Sequence, residues 1–103
     1  MSLDIAVLDD NGAPARQVSI DIRDHCRLMQ QVNDSHHRLL QRISDYYTDV
    51  EYSSNELDSL IAEVSSVLLR CRNDQQLTSI LEGLCEVAKI AKKTNVSLFA
   101  LAD

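Results

Sequence analysis

Two adjacent amphipathic segments, joined by a short polar connection, constrain the fold of this chain more than any other feature. The apolar positions of the first recur at helical spacing: Leu57, Leu60, Ile61, Val64, Leu68 and Cys71. Those of the second do the same: Leu77, Ile80, Leu81, Leu84, Ala88 and Ala91. A repeat of three to four residues is typical of a helix with one buried face. Because the connection is short, we expect the two helices to pack as an antiparallel hairpin.

The start of the first of these helices carries two independent signals. Ser53 and Glu56 have the spacing of a capping box, in which each residue satisfies a backbone N–H of the other. Tyr52 and Leu57 occupy the two positions of a hydrophobic staple. Together they predict a helix from about Ser54 to Arg72.

The second helix also has start and stop signals. Asn73 or Asp74 is suited to its N-cap, and Asn95 is suited to a left-handed residue at its end. Its last turns are basic, with Lys89, Lys92 and Lys93, and cations there interact favourably with the helix dipole.

The two ends of the chain are predicted to be strands. Leu3, Ile5 and Val7 alternate with other residues, as do Val18 and Ile20, and a turn-forming Asn11-Gly12 lies between them. This pattern predicts a β-hairpin. The terminal run Val96–Ala102 is apolar on both faces, which favours a central strand.

The segment between hairpin and helices predicts one or two further helices. Asp21 is a suitable N-cap for the first, and the polar run Asn33–Ser35 interrupts the periodicity. A stripe of Leu39, Leu40, Ile43 and Tyr47 predicts a second, which could be separate from or continuous with the first. We therefore expect a single α+β domain over residues 1–103. Three to four helices would pack on one side of a three-stranded sheet that the C-terminal strand completes.

Charge is concentrated in one part of the sequence. From Ile43 to Leu69 there is no Lys or Arg, whereas six acids occur: Asp45, Asp49, Glu51, Glu56, Asp58 and Glu63. The net charge of −6 argues against direct binding of nucleic acid and leaves basic proteins as plausible partners. No apolar run is long enough to span a membrane, and the N-terminus lacks the pattern of a signal peptide, so we expect a cytoplasmic protein. The odd number of cysteines, three, favours reduced and buried thiols.

No arrangement typical of a catalytic, metal or cofactor site is present. His36 and His37 are adjacent, and so are His25 and Cys26, and neighbouring helical residues do not face each other. We expect His25 at the edge of the core and Cys26 within it. The acidic turn Asp9–Asn11 lacks the further oxygen ligands of a calcium loop. An enzymatic role and a bound cofactor are therefore not expected.

The acidic window has two interpretations, a solvated helix surface or an interface for a basic partner. Acids complement a basic surface and speed association, and tyrosine supplies contact area at low entropic cost. The candidate partner-binding residues are Asp45, Tyr46, Asp49, Glu51 and Asp58. Of the three tyrosines we expect Tyr46 to be the most exposed, because it lies one residue off the apolar stripe.

Three segments of the chain carry a resemblance to a family: LDIAVLDDNG, LLQRISDYYTDVEYSSNELDSLIAEV and LEGLCEVAKIAKKTNVSLFALAD. They resemble small bacterial proteins that begin with a GIDI-type strand and an Asn-Gly or Lys-Gly turn. Those proteins have a DYY-acid-aromatic centre and end in GIAD. That group is similar to the immunity proteins encoded beside polymorphic or contact-delivered toxins. The resemblance implies an inhibitor that blocks a cognate toxin. The alternative is a structural or regulatory module that self-associates through the helical hairpin, and a homodimer is compatible with either.

Overall fold

The computed structural model describes residues 2–32 and 35–102, which form an α+β fold. Its strands are β1 (Leu3–Leu8), β2 (Pro14–Ile20), β3 (Val50–Tyr52) and β4 (Leu98–Ala102). Its helices are α1 (Ile22–Gln31), α2 (Arg38–Gln41), α3 (Leu57–Arg70) and α4 (Gln75–Thr94), and a 3₁₀ turn, Ser54–Glu56, leads into α3.

All four strands belong to one antiparallel sheet with the order β2-β1-β4-β3. The predicted N-terminal hairpin is confirmed, and Gly12 has a φ of 78° in its turn, a conformation that glycine adopts without steric cost. The C-terminal strand β4 lies between β1 and β3, so its predicted central position is also confirmed. The sheet has one strand more than the three predicted, because β3 is only three residues long, too short to show alternation in sequence.

The helical hairpin is confirmed, with α3 and α4 packed against each other. The capping box is formed, since the Ser53 backbone N–H donates to Glu56 Oε1 over 3.0 Å. The Asp74 carboxylate accepts from the backbone N–H of Leu77 and caps α4. Asn95 ends α4 with a φ of 56°, the left-handed conformation that its position predicts.

The core lies between the hairpin and one face of the sheet. Helix α4 packs across β2, β1 and β4, and it approaches β2 so closely at Gly83 that a Cβ there would lie 3.1 Å from Val18 Cγ2. The largest fully buried side chains come from every layer: Leu3, Ile5, Ile20, Leu28, Leu40, Ile43, Tyr52, Leu57, Leu60, Leu81, Leu84 and Leu98. Burial of this apolar surface supplies the main stabilisation of the fold.

Helix α1 is anchored at both its start and its side. The Asp21 carboxylate accepts from the Asp24 backbone N–H, as its predicted role as N-cap requires. The Arg27 guanidinium then bridges Asp24 and the α4 cap Asp74. Such a bidentate cation holds the start of α4 against α1.

Helix α2 is much shorter than the predicted second helix, since it ends at Gln41. Leu39, Leu40 and Ile43 are buried as predicted, but the chain leaves helical geometry before Tyr47, which therefore does not continue their stripe. Helices α1 and α2 are separate elements, although the predicted interruption at Asn33 and Asp34 lies outside the described residues.

The cysteines do not share one environment. Cys71 is buried and Cys85 is partly buried, as expected, but Cys26 is exposed, so its predicted burial is wrong. Because α1 turns the neighbouring His25 towards the core, Cys26 lies on the solvent side of the helix. None of the helices in the described part of the chain is long and apolar enough to cross a membrane.

Candidate protein-binding surface

A shallow cleft of about 520 Å³ lies between α1 and residues 42–49, the irregular segment that joins α2 to β3 and is here called the connector. Ile22, Cys26 and Met29 line it from α1. From the connector it is lined by the run from Ser44 to Tyr47, which includes two of the predicted site residues, Asp45 and Tyr46.

Tyr46 forms part of the inner wall of this cleft and is not its exposed aromatic. Only 5% of its surface is accessible, and its hydroxyl donates to the Ile20 carbonyl oxygen over 3.2 Å. Its ring meets the His25 ring edge-on, with 5.1 Å between centroids. The prediction that Tyr46 is the exposed tyrosine is therefore wrong, because helical periodicity does not apply to a segment that is not helical.

His25 ties the connector to α1. Its Nε2 lies 2.5 Å from the Ile43 carbonyl oxygen, and since that oxygen can only accept, Nε2 carries the proton that it donates. The imidazole is buried, so this bond is shielded from competing water. The connector thus has a fixed position relative to α1.

Asp45 stabilises the turn in which Tyr47 is exposed. One carboxylate oxygen accepts from the Tyr47 backbone N–H over 2.9 Å, and the other accepts from the Thr48 hydroxyl over 2.7 Å. These two bonds stabilise the ionised form and lower the pKa of Asp45 below its usual value. The carboxylate remains exposed to solvent and negatively charged.

Tyr47 is the exposed aromatic of the surface, with 60% of its surface accessible. Its ring packs edge-on against the ring of buried Tyr46, with 5.3 Å between the centroids. Ile22, which is 55% exposed, lines the same cleft from α1. The sequence pattern assigns Tyr47 to the apolar stripe of the predicted second helix. The signal that could have revealed it is the Asp45-x-Tyr47-Thr48 spacing, in which an aspartate caps its own turn.

Asp49, the last residue of the connector, and Glu51 of the edge strand β3 lie elsewhere, at the edge of the sheet. Asp49 Oδ1 accepts from the backbone N–H of Ala102 over 2.7 Å, and Glu51 Oε2 accepts from the Ser97 hydroxyl over 2.8 Å. These residues therefore fasten β3 to both ends of β4. Both carboxylates are exposed, so the sheet edge is acidic as well as tied down.

Asp58 is in a third location, the first turn of α3. Its Oδ1 lies 2.5 Å from Lys92 Nζ on α4, and both side chains are mostly exposed. The structure thus brings Asp45 and Tyr46 together in the cleft, Asp49 and Glu51 together at the sheet edge, and leaves Asp58 on the helical hairpin.

Two further acids of the window have structural roles. Glu56 is paired with Arg42, whose guanidinium also lies over the Tyr52 ring, 5.6 Å from its centroid. Glu63 accepts from the backbone N–H groups of Leu39 and Leu40 at the start of α2.

Three acids of the window, Asp45, Asp49 and Glu51, are exposed and have no ion-pair partner among the described residues. These acids occupy the connector and the edge strand that follows it, so this part of the surface carries unpaired carboxylates.

The described residues do not assemble a metal site, since no group of three or more His, Cys, Asp and Glu side chains is placed to hold an ion. His25 and Cys26 do not form a nucleophile–base pair, because His25 bonds to Ile43 inside the core while Cys26 faces solvent.

Comparison with known proteins gives no match, whether to a family model, to a curated protein or to a solved structure.

Proposed function

We propose that this chain is an immunity protein, which binds a cognate bacterial toxin in the cytoplasm of the producing cell and neutralises it. The observation that carries the binding role is the exposed Tyr47, supported by buried Tyr46 and flanked by Ile22 and ionised Asp45. The toxin as partner rests on the resemblance of the segment DYYTDVEYSSNEL, which contains β3 and the connector from Asp45 onward, to the central motif of the immunity-like proteins.

The rigidity of this surface favours tight binding. Association costs free energy for each side chain that must be ordered at the interface, and a preformed arrangement lowers that cost. Tyr47 is held by Asp45 through its backbone and by Tyr46 through its ring. Aromatic anchors of this kind are enriched among the residues that dominate binding energy in interfaces.

The charge of the surface favours a basic partner. Asp45, Asp49 and Glu51 are not neutralised by ion pairs in the described part of the chain, so they are available to a cationic surface. A toxin that acts on nucleic acid has a basic substrate site, and an acidic inhibitor would cover it with complementary charge. Asp58 belongs to a more distant position and would contribute only if the interface extends to the helical hairpin.

The test is co-expression with the toxin encoded by the neighbouring gene, followed by measurement of affinity with purified proteins. The wild-type chain is expected to restore growth. Tyr47→Ala is expected to weaken binding at least tenfold, as truncation of an aromatic hot spot costs about 2 kcal/mol or more. Asp45→Asn, which can still bond to the turn, is expected to slow association and to weaken its dependence on salt.

Two matched controls separate binding from folding. Leu69→Ala removes a side chain as exposed as Tyr47, at 63%, from α3, and Asp10→Asn removes an exposed carboxylate from the β1–β2 turn. Neither should change affinity. If the wild-type chain neither binds the toxin nor restores growth, the proposed function is wrong. If it does both while Tyr47→Ala binds equally well, the toxin role stands and the cleft is not the interface.

A further inference from the structure

A groove of about 560 Å³ runs along the outer side of the helical hairpin, away from the cleft. Its apolar lining comes from Leu68 of α3 and from Cys85 and Ile90 of α4. Four charged residues of α4 border it, the acids Glu82 and Glu86 towards the N-terminal end and the bases Lys89 and Lys93 towards the C-terminal end. Their spacing of four, three and four residues places them in one row along the helix.

This row is complementary to itself when reversed. Glu82 and Lys93 are equidistant from the midpoint between Val87 and Ala88, and so are Glu86 and Lys89. The apolar residues Cys85 and Ile90 are related by the same midpoint. A second α4 packed antiparallel about that midpoint would therefore set each acid against a base. This is the geometry of an isologous two-fold contact.

We propose that the groove binds a second copy of this chain, with the two α4 helices antiparallel across a two-fold axis. Glu82 then pairs with Lys93 of the other copy and Glu86 with Lys89 of the other copy, so two different ion pairs each occur twice. Cys85 and Ile90 lie about 140° apart around α4, so they flank the charged row on its two sides.

The charges that make this contact are available in the single chain. Among the ion pairs of residues 2–32 and 35–102, none uses Glu82, Lys89 or Lys93. Glu86 lies 3.4 Å from Arg16, but both side chains are 64% exposed, so this pair is solvated and leaves the carboxylate accessible.

A second copy fits the charge pattern better than a partner of one sign. An acidic partner would match Lys89 and Lys93 but would oppose Glu82 and Glu86, and a basic partner would do the reverse. Only an occupant with the same charges in the opposite order satisfies both halves, and this chain supplies one. Because each copy contributes mainly one helix, we expect an interface at the small end of the specific range, with weak and salt-dependent association.

The experiment measures self-association by sedimentation equilibrium at low and high salt, up to about 1 mM protein, where even a weak contact is populated. We expect the wild-type chain to dimerise and high salt to weaken the dimer. The double variant Glu82→Lys, Glu86→Lys sets like charges against each other, and so does Lys89→Glu, Lys93→Glu. Each should lose at least about 100-fold in dimer affinity.

Mixing the two double variants provides the decisive measurement. Lysines at 82, 86, 89 and 93 in one variant then meet acids at all four positions in the other, so a heterodimer should form although neither variant associates with itself. The control Arg23→Glu, Arg72→Glu makes the same change in net charge as Lys89→Glu, Lys93→Glu, but at exposed sites outside the groove, and it should dimerise like the wild-type chain.

Three outcomes would overturn the proposal: a wild-type chain that is monomeric throughout, reversed variants that dimerise as well as the wild type, or a mixture that fails to form the heterodimer. The altered residues are all exposed, and circular dichroism with thermal melting would verify that each variant folds. This dimer does not depend on the toxin-binding role, because the groove and the Tyr47 cleft have no lining residue in common.

Discussion

The helical hairpin and the connector are stabilised in opposite ways. In the hairpin, regular helical hydrogen bonds satisfy the backbone, Asp74 caps the start of α4, and the apolar stripes of both helices, which include Leu60 and Leu81, are buried. In the connector, irregular backbone is held by single polar bonds that come from distant parts of the chain. His25 bonds to Ile43 and Tyr46 bonds to Ile20.

A third bond of this kind holds the two elements that flank the connector. The Tyr52 hydroxyl, on β3, donates to the Leu39 carbonyl oxygen of α2 over 2.6 Å in a buried position. The hairpin should therefore lose stability chiefly through cavities, and the connector through the loss of individual hydrogen bonds.

The largest expected effect is a cavity in the hairpin. Leu81→Ala, at a fully buried site on α4, should lower the free energy of unfolding by about 2–5 kcal/mol. Chemical denaturation measures this loss, with Leu69→Ala on the exposed side of α3 as the matched control, which should change stability by about 0.5 kcal/mol or less. Similar losses for both variants would contradict the view that apolar burial stabilises the hairpin.

The next effect tests a single bond beside the connector. Tyr52→Phe keeps the buried ring but leaves the Leu39 carbonyl oxygen without its donor, which should cost about 1–3 kcal/mol. Tyr47→Phe removes a hydroxyl from an exposed tyrosine and should leave stability unchanged. A Tyr52→Phe variant as stable as the wild type would show that packing alone positions this region.

The same hydroxyl should give the fold a dependence on alkaline pH. Burial raises the pKa of Tyr52 above its ordinary value of about 10, because the interior disfavours the phenolate. The unfolded chain then releases this proton first, so stability is complete below that pH and declines as the pH rises above it. Comparing denaturation of wild type and Tyr52→Phe above pH 10 should show a steeper decline for the wild type.

The smallest effect concerns Glu56 of the capping box, which lies between the connector and the helical hairpin. The hydrogen bond from Arg42, helped by the Ser53 backbone N–H, lowers the pKa of Glu56 to about 2. Its contribution is therefore present above the unfolded value of 4.5 and is lost as the pH falls towards 2. Glu56→Gln should reduce the slope of the free energy of unfolding against pH in the acid range. At neutral pH it should lower that free energy by about 1 kcal/mol or less, since the Arg42–Glu56 pair is partly solvated. Asp10→Asn should keep the slope of the wild type. An unchanged slope in Glu56→Gln would contradict the assignment of this pH dependence to Glu56.

The residues that sequence reasoning placed correctly are those whose environment depends on their near neighbours. The pairs Ser53–Glu56 and Asp74–Leu77 are three residues apart, and Asn95 ends a helix that its own pattern defines. The pairing of the C-terminal strand with β1 was also predicted, because the N-terminal hairpin contains the other strands that the sequence pattern indicates.

The residues whose environment was predicted wrongly from the sequence are those that contact distant parts of the chain. Tyr46 and Tyr47 are adjacent and chemically identical, and the choice of the buried one is made by Ile20 and His25, more than twenty residues away. Strand β3 exists because β4 offers it an edge, and Asp49 and Glu51 fasten it there. Nothing within the window from Ile43 to Leu69 distinguishes these acids from Asp58, which pairs with Lys92 on another helix.

The sequence by itself therefore determined the α+β class, the hairpin helices with their caps, and the excess of negative charge in the middle of the chain. These follow from periodicity, local hydrogen bonding and composition, which act over a few residues. Only the tertiary structure decided which tyrosine is exposed, which acids keep an unpaired charge, and that the charges of α4 border an open groove. Those properties depend on packing between segments far apart in the chain, where a single contact selects between neighbouring side chains of the same chemistry.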